Sequence, residues 1–261
     1  MQASIKVSHE PSVQYLLRIG DTCLVLAQRL AEWCGHAPIV EEDIALSNMA
    51  LDLIGQARAV LTRAGQLEAV RGGEAHDEDQ LAFLRDERDF RNLTLVELPR
   101  GDFAATQLRN LAMATFLELL WQCLESSSDA DLAGIAGKAV KEARYHREHA
   151  ADWVVRLGDG TAESTARTRA ALEWLWPYVA EIFESDAIDE QAATAGIGPR
   201  WSDLQGEWRA RFAAVMAEAG LVLPAERPFR STGKVGRHSE HLGYILAEMQ
   251  YLQRAFPGGV W

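Results

Sequence analysis

The chain has 261 residues, of which 48% are hydrophobic and 25% are charged. This composition is typical of a single globular domain spanning residues 1–261, and it excludes wholesale disorder. The formal net charge of −12 would repel a phosphate backbone, which argues against nucleic acid as a partner.

The cysteines and the hydropathy of the chain indicate the compartment in which the protein is expected. The three cysteines, Cys23, Cys34 and Cys123, are widely spaced and fit neither a disulfide framework nor a zinc motif. No apolar run approaches the roughly 20 residues that a membrane span requires. We therefore expect a reduced, soluble protein of the cytoplasm that does not interact with membranes.

The chain begins with a segment, residues 1–11, that is expected to be flexible. Apolar residues three and four positions apart then predict a first helix from Pro11 or Ser12 to Trp33. Gly35 is expected to end this helix, because glycine is common just after the last helical turn.

Acidic residues predict the start of a second helix. Residues 41–43 are all acidic and suit the positive end of a helix dipole. The helix should continue to about Ala69, before Gly72 and Gly73. Apolar residues lie on both of its sides, so we expect it to be surrounded by other helices and central to a bundle.

Two further long helices are predicted after a charged connection. Residues 77–92 are predicted to form a short helix within that connection. Asp102 is a good N-cap for a third long helix that ends near Glu125. A fourth helix should run from Asp131 to Leu157, and the short turn between these two helices requires them to be antiparallel.

The last third of the chain is predicted to contain shorter elements. In order, these are a helix over 164–185, a loop over 187–200, a helix over 202–219, an extended connection over 221–238 and a helix over 242–255. Pro177 should kink the first of these helices, because proline removes a backbone hydrogen bond. Ser202 with Gln205 predicts a capping box, and Ser239 should cap the last helix.

No stretch shows the sustained alternation of a strand, so the fold is predicted to be all-α. The fourth helix places Glu142, Tyr145, His146 and His149 along one side. Carboxylates and imidazoles that project inward from helices build the metal sites of ferritin-like bundles. The sequence therefore predicts a ferritin-like helical bundle with additional helices and long connections.

The metal-ligand pattern of such a bundle is incomplete here. The Glu-x-x-His motif that would end at His146 has Ala143 in place of its acid. The second helix offers Asp52 and Gln56 but no histidine, and the first helix offers Glu32. The residues thus favour a degenerate centre over a working one.

A degenerate centre with buried acids needs a compensating charge. Arg58 and Arg144 are candidates for a cation that stands where the metal would be. If so, removing that arginine should destabilise the fold by several kcal/mol.

Three other interpretations remain open from the residues alone. The first is a histidine that is simply buried and hydrogen-bonded, which is common. The second is an active di-metal oxidase that uses Glu32, Asp52, Glu142 and His146 with Glu118 or His149. The third is a ferritin-like scaffold or sensor without chemistry of its own. A cysteine nucleophile is disfavoured, because Cys23 and Cys34 lie in an apolar helical pattern.

Six runs of sequence closely resemble the C subunits of bacterial phenylacetyl-CoA epoxidases, which are multicomponent ring monooxygenases. These runs are residues 18–26, 32–38, 51–58, 83–88, 141–146 and 240–243. The resemblance extends from about Tyr15 to Trp261. It implies a structural subunit that pairs with a related catalytic subunit.

The resemblance also implies where the cofactors of the complex lie. The di-iron centre belongs to the catalytic partner, flavin and an iron–sulfur cluster belong to a separate reductase, and the complex also contains a small bridging subunit. Compared with the ligand pattern of the catalytic subunit, this chain keeps Glu32 and His146. It has Leu53, Gln56 and Ala143 where ligands would stand, so no metal and no catalytic residue are expected in it.

Aromatic content adds an expectation about assembly. The chain has eight tryptophans, and four of them lie near loops: Trp174, Trp176, Trp201 and Trp208. Aromatic residues are enriched at protein interfaces, so some of these should contact a partner. We expect a homologous subunit as that partner, and a homodimer when the chain is alone.

Overall fold

The computed structural model describes residues 3–70, 74–225 and 228–259, and in these residues the chain forms helices and no strand, which confirms the all-α prediction. The α-helices are α1 (Pro11–Ala31), α2 (Val40–Val70), α3 (Glu78–Phe83), α4 (Thr94–Glu97), α5 (Phe103–Leu124), α6 (Ala130–Gly158), α7 (Ala162–Leu175), α8 (Ala187–Thr194), α9 (Gln205–Glu218) and α10 (Glu240–Ala255). Short 3-10 helices lie at Glu87–Asp89, Trp176–Tyr178, Ala180–Phe183, Trp201–Leu204 and Gly233–Val235. Among the described residues, no helix has the length and apolar character that a bilayer crossing requires.

Four long helices form the frame of the bundle. Helix α1 packs on α2, α5 packs on α6, and α2 also packs on α6. Most of α1 and α5 is buried, because α4 and α8 contact α1 while α7 and α9 contact α5. The prediction that α2 is the surrounded, central helix is wrong, since Ile44 and Leu51 on its outward side are exposed. The core therefore lies around α1 and α5.

The helix ends follow local sequence signals closely. The Asp102 carboxylate accepts a hydrogen bond from a backbone N–H in the first turn of α5, and Asp129 caps α6 in the same way. Gly35 has a φ of 77° in the turn after α1, a conformation that glycine adopts without strain. Gly72 and Gly73, which were expected to end α2, lie outside the described residues.

The connection between α2 and α5 is anchored to α1 by a buried ion pair. Arg85 Nη1 donates to Asp21 Oδ2 at 2.9 Å, and a second hydrogen bond joins the two side chains. The backbone N–H of Arg91 donates to the same carboxylate at 2.8 Å. Both charged side chains are fully buried, so each depends on the other for compensation of its charge.

Predicted details of the last third differ from the structure in three places. Helix α7 ends at Leu175, and Pro177 lies in the 3-10 helix that follows, so the proline ends the helix and does not kink it. Part of the expected loop over 187–200 forms α8. The expected capping box of Ser202 and Gln205 is absent, because a 3-10 helix precedes α9 and no side chain caps α9.

Helix α8 is capped locally and is attached to α1 by long-range contacts. Its N-cap, Asp186, accepts from backbone N–H groups of the first turn and also pairs with Arg18 of α1. Asp189 faces the same guanidinium at 3.3 Å. The Arg18 side chain is fully buried, so α8 is held by a charge 168 positions earlier in the chain.

Most of the tryptophans that were expected at an interface lie in the core. Trp176, Trp201 and Trp208 are buried. Trp208 donates through Nε1 to the Ala112 carbonyl at 2.8 Å and stacks on Phe212 with ring centroids 4.7 Å apart. Only Trp174 of the four is substantially exposed, so the interface expectation is wrong for the other three.

The segment before α10 is irregular, as predicted, and two buried glutamates hold it in place. Glu97 accepts from the Ser239 N–H at 2.8 Å and faces His238. Glu181 accepts from the Lys234 N–H at 2.9 Å and from the Ser231 hydroxyl. Ser239 precedes α10 as expected, but its hydroxyl donates to Glu97 at 2.7 Å and does not cap the helix.

The pair of His238 and Glu97 should make stability depend on pH. Burial lowers the pKa of His238, but the hydrogen bond and charge of Glu97 outweigh burial, so the pKa is raised above its usual value. The resulting stabilisation is complete below the unfolded-state pKa of about 6.5 and is lost as pH rises through the raised folded-state pKa. The difference in unfolding free energy between wild type and His238→Gln should therefore shrink with rising pH in urea titrations. A difference that does not change with pH would contradict this assignment.

The N-terminal segment, expected to be flexible, is hydrogen-bonded to the bundle in its described part. The Ile5 N–H donates to the Leu84 carbonyl at 3.1 Å. The Ser8 N–H donates to Glu68 Oε1 at 2.6 Å. Residues 3–10 therefore lie against the connection and the end of α2.

Candidate functional site

The polar residues predicted at the metal site lie along the seam between α2 and α6. Three pairs of side chains join the two helices there: Glu42 with His149, Asp52 with His146, and Gln56 with Glu142. Asp52 and Gln56 are four residues apart on α2, and Glu142, His146 and His149 are four and three apart on α6, so each of these groups lies on one side of its helix. We refer to these six residues as the seam pairs.

The central seam pair is Asp52 with His146. His146 Nε2 lies 3.1 Å from Asp52 Oδ2. Burial lowers the pKa of His146, and this effect outweighs the opposing influence of Asp52 and Glu142. The Nε2 atom of His146 therefore already has a hydrogen-bond partner within the protein.

The second seam pair links three helices. Gln56 Nε2 donates to Glu142 Oε2 at 2.9 Å, and the Cys23 thiol of α1 lies 3.7 Å from Gln56 Oε1. Lys138 lies 3.4 Å from the other oxygen of Glu142. Burial, with the charge of Glu142, raises the pKa of Cys23 to about 12, so this thiol is neither a ready nucleophile nor a ready metal ligand.

The third seam pair has weaker geometry. His149 Nε2 lies 3.0 Å from Glu42 Oε2, close enough for an ion pair, but neither atom has a hydrogen bond of good geometry. The half-exposed ring of Tyr145 lies beside His149, with centroids 6.2 Å apart.

Glu32, which was expected to join these residues, does not reach them. It forms the C-cap of α1, and its carboxylate pairs with Arg29 one turn earlier. At the level of Gln56, α1 instead presents Cys23, which is nine residues before Glu32. The reason is register: a spacing of nine residues along a helix is about 13 Å.

The two arginines that were expected to stand where the metal would be, Arg58 and Arg144, lie away from the seam pairs. Arg58 has 74% of its side chain exposed and pairs with Glu78, so removing it should cost at most about 1 kcal/mol. Arg144 pairs with Glu118, on the side of α6 that faces α5. The prediction that one of these arginines stands among the seam pairs is wrong.

The sequence suggested Glu118 only as an alternative metal ligand, and the structure gives it a different role. Its side chain is almost fully buried on α5, and three guanidinium groups surround it. They belong to Arg144 at 3.2 Å, Arg147 at 2.5 Å and Arg211 at 3.4 Å. Arginines three residues apart on α6 were the available signal, because this spacing places both on one side of the helix.

The donor set does not fit a carboxylate-bridged di-iron centre. Leu53 and Ala143, which the resemblance in the sequence is expected to place at ligand positions, are each 1% exposed and pack in the hydrophobic core. Neither side chain has an atom that can bind a metal. Across residues 3–70, 74–225 and 228–259, no three His, Cys, Asp or Glu side chains are grouped as metal ligands. A di-iron site needs inward acids from four helices and histidines from two.

Metal analysis tests this conclusion. We expect the isolated chain to bind iron only in substoichiometric amounts after reconstitution with ferrous iron and gel filtration, because two ligand positions lack donor atoms. The variant Asp52→Asn should give the same iron content. Two irons per chain that survive a chelator, with the absorption band of an oxo-bridged centre, would contradict the account.

Comparison with known proteins agrees with the resemblance in the sequence. The sequence profile of the phenylacetic acid catabolic protein family matches residues 1–261. The chain is 49% identical over 247 residues to the C subunit of 1,2-phenylacetyl-CoA epoxidase from Escherichia coli (strain K12). That alignment covers 95% of this chain and 98% of the relative.

Proposed function

Because the chain belongs to the phenylacetic acid catabolic protein family, we propose that it is the structural, non-catalytic subunit of a multicomponent phenylacetyl-CoA epoxidase. In this role it pairs with a homologous catalytic subunit that holds the di-iron centre. That subunit epoxidises the 1,2-bond of the phenylacetyl-CoA ring during aerobic breakdown of phenylacetate. The complex also contains a small bridging subunit and a reductase with flavin and an iron–sulfur cluster.

The observation that carries the non-catalytic role is the pair of apolar, buried residues at ligand positions, Leu53 and Ala143. The neighbouring polar residues support the same role, because Gln56 and Glu142 are bonded to each other and His146 contacts Asp52. Polar groups that are already paired hold two helices together and have little capacity left for a ligand.

The proposed mechanism is indirect. A subunit that binds only the folded catalytic partner stabilises it by a free energy that grows with the logarithm of the subunit's concentration relative to the dissociation constant. The rigid frame of α1, α2, α5 and α6 suits this purpose, because a packed bundle can hold a partner's helices in a fixed geometry. This chain then supplies no reacting group and no cofactor.

An interaction and variant test distinguishes the proposal from its rivals. The chain should co-purify with the homologous catalytic subunit of its own organism, and the complex should contain two irons for each catalytic subunit and none for this chain. Replacing His146 with Gln or Asp52 with Asn in this chain should leave both the iron content and the turnover of the complex unchanged.

The possible failures of that test have different meanings. A large loss of iron and turnover with either variant, in a complex that still assembles, would favour an active di-metal centre in this chain. No association with the catalytic subunit would favour a free-standing scaffold. Either result would refute the proposed function.

A further inference from the structure

A buried arginine on α5, Arg109, has no carboxylate partner among the residues that the structure describes. The residue is 2% exposed. Its Nη2 atom donates to the Pro99 carbonyl at 2.5 Å, whereas its buried Nε atom has no hydrogen-bond partner. The other large buried cations of the core, Arg18 and Arg85, are each paired with aspartate. Arg109 is therefore a buried charge whose compensation is incomplete.

The charged groups near Arg109 do not supply that compensation. Those that influence it most are Arg29 and Glu32. The Glu32 carboxylate already pairs with Arg29, and Arg100 donates to the Glu32 backbone carbonyl at 2.7 Å. Three guanidinium groups thus lie around one carboxylate, so this region of the core has an excess of positive charge.

Arg109 is still a cation at neutral pH. Burial, together with the charge of Arg29, lowers the pKa of Arg109 to about 9. A guanidinium with this pKa is almost fully protonated at pH 7. The positive charge beside the orphaned Nε–H group is therefore present under ordinary conditions.

Arg109 also lines a small internal cavity between α5, α7 and α9. The other side chains of its wall are hydrophobic, and all of the lining residues are buried: Leu95, Leu108, Ala112, Leu172, Leu175, Trp176, Val179 and Phe212. The centre of a water-sized particle can occupy about 10 Å³ of this space. The cavity therefore has room for one particle of about that size, and Arg109 is the charged side chain that this particle would meet.

A surface pocket adjoins this cavity. The pocket has a volume of about 220 Å³, measured in the same way, and shares Trp176 and Val179 with the cavity. Its lining includes Arg209, Arg230 and Glu184, and Glu184 pairs with Arg230 at 2.6 Å. Two cations and one carboxylate give the pocket a positive excess, although the chain as a whole has a net charge of −12. Such a local excess attracts small anions to the wall that separates the pocket from the cavity.

The size and chemistry of the cavity restrict the ligand. A water molecule could accept the hydrogen bond of the Nε–H group, but it would leave the charge of Arg109 unbalanced. Carboxylate and phosphate groups carry several oxygen atoms that each need a hydrogen-bond donor, and the rest of the cavity wall is hydrophobic. A halide ion is a single atom with one negative charge, so it meets both requirements.

We propose that the internal cavity beside Arg109 is a binding site for one chloride ion, which accepts the Nε–H hydrogen bond and balances the buried guanidinium. Because the wall of the cavity comes from α5, α7 and α9, the bound ion would stabilise the packing of these helices. The proposal rests on Arg109 and its surroundings, and it does not depend on the proposed function.

A crystal of the full chain grown in sodium bromide would locate the ion directly. Bromide has the same charge and chemistry as chloride, and its anomalous scattering distinguishes it from water. We expect an anomalous peak in the cavity, within hydrogen-bonding distance of Arg109 Nε. Bromide peaks that occur only on the surface, with water or no ordered atom in the cavity, would overturn the proposal.

Urea unfolding in solution measures the effect of the ion on stability. Chloride replaces gluconate at constant ionic strength, because gluconate is too large for the cavity. A ligand that binds only the folded chain lowers the unfolding equilibrium constant by about tenfold for each tenfold rise in its concentration above the dissociation constant. Wild type should show this dependence with chloride and also with bromide.

Two variants show whether that dependence belongs to Arg109. Arg109→Met keeps an unbranched side chain and removes the charge, so the dependence on chloride should disappear. Arg58→Met removes an arginine whose side chain is 74% exposed, and it should keep the dependence of wild type.

Two results of the unfolding experiments would also overturn the proposal. They are equal stability of wild type in chloride and in gluconate, and a chloride dependence that Arg109→Met retains. If Arg109→Met does not fold, the bromide peak and the wild-type titration still decide the question.

Discussion

Replacing Asp21 with alanine is expected to lower the free energy of unfolding by about 3–5 kcal/mol, the cost of leaving a buried charge without its partner. Arg85 is fully buried and makes two hydrogen bonds to Asp21. In the variant its guanidinium would keep only the carbonyl groups of Leu81 and Asp89 as hydrogen-bond acceptors. The N–H of Arg91 would also lose its acceptor.

Urea unfolding followed by circular dichroism would measure this loss. The matched control is Glu163→Ala, which removes an exposed pair with Arg167 on α7 and should change stability by less than about 1 kcal/mol. The double variant Asp21→Ala/Arg85→Leu should recover part of the loss, because it also removes the unpaired charge. If Asp21→Ala costs no more than Glu163→Ala, the buried pair is not the anchor that the geometry indicates.

The long helices could be predicted from the sequence because their signals are local. Asp102 caps the helix that it was expected to cap, and apolar spacing placed the ends of α1 within about two residues. In contrast, α8 was missed although Asp186 and Asp189 form a capping box at its start. The attachment of Asp186 to Arg18 of α1 is a result of the fold, and no window of sequence around α8 contains it.

The candidate site was predicted in part. The sequence placed Asp52, Gln56, Glu142 and His146 in one region, and the structure pairs them across α2 and α6. Helical periodicity gives the side of a helix, but the axial register between two helices depends on packing, and for that reason Glu32 was wrongly included. The same limitation hid the group of arginines around Glu118.

The error about α2 has a physical cause of its own. Apolar residues on two sides of a helix were interpreted as burial within the chain, because burial is the usual way to cover such residues. Ile44 and Leu51 are nevertheless exposed. A sequence pattern cannot distinguish a side that packs in its own core from one that packs on another molecule.

The second large effect is expected in the assembled enzyme. If the chain is the structural subunit, omitting it should abolish oxygenation, because the catalytic partner would lose the surface that holds its helices in the iron-binding geometry. The interface required for such a role is of the obligate type, which buries roughly 2,000 Å² or more. A variant that removes the carboxylate of the central seam pair, Asp52→Asn, should still support activity, since the contact with His146 lies within this chain.

The most direct test of the structural role is the rate of phenylacetyl-CoA epoxidation by the catalytic subunit, bridging subunit and reductase, measured with and without this chain. The account predicts sustained turnover with the wild-type chain or with Asp52→Asn, and loss of turnover and of bound iron from the catalytic subunit when the chain is left out. Full and stable epoxidation in the absence of the chain would contradict the account.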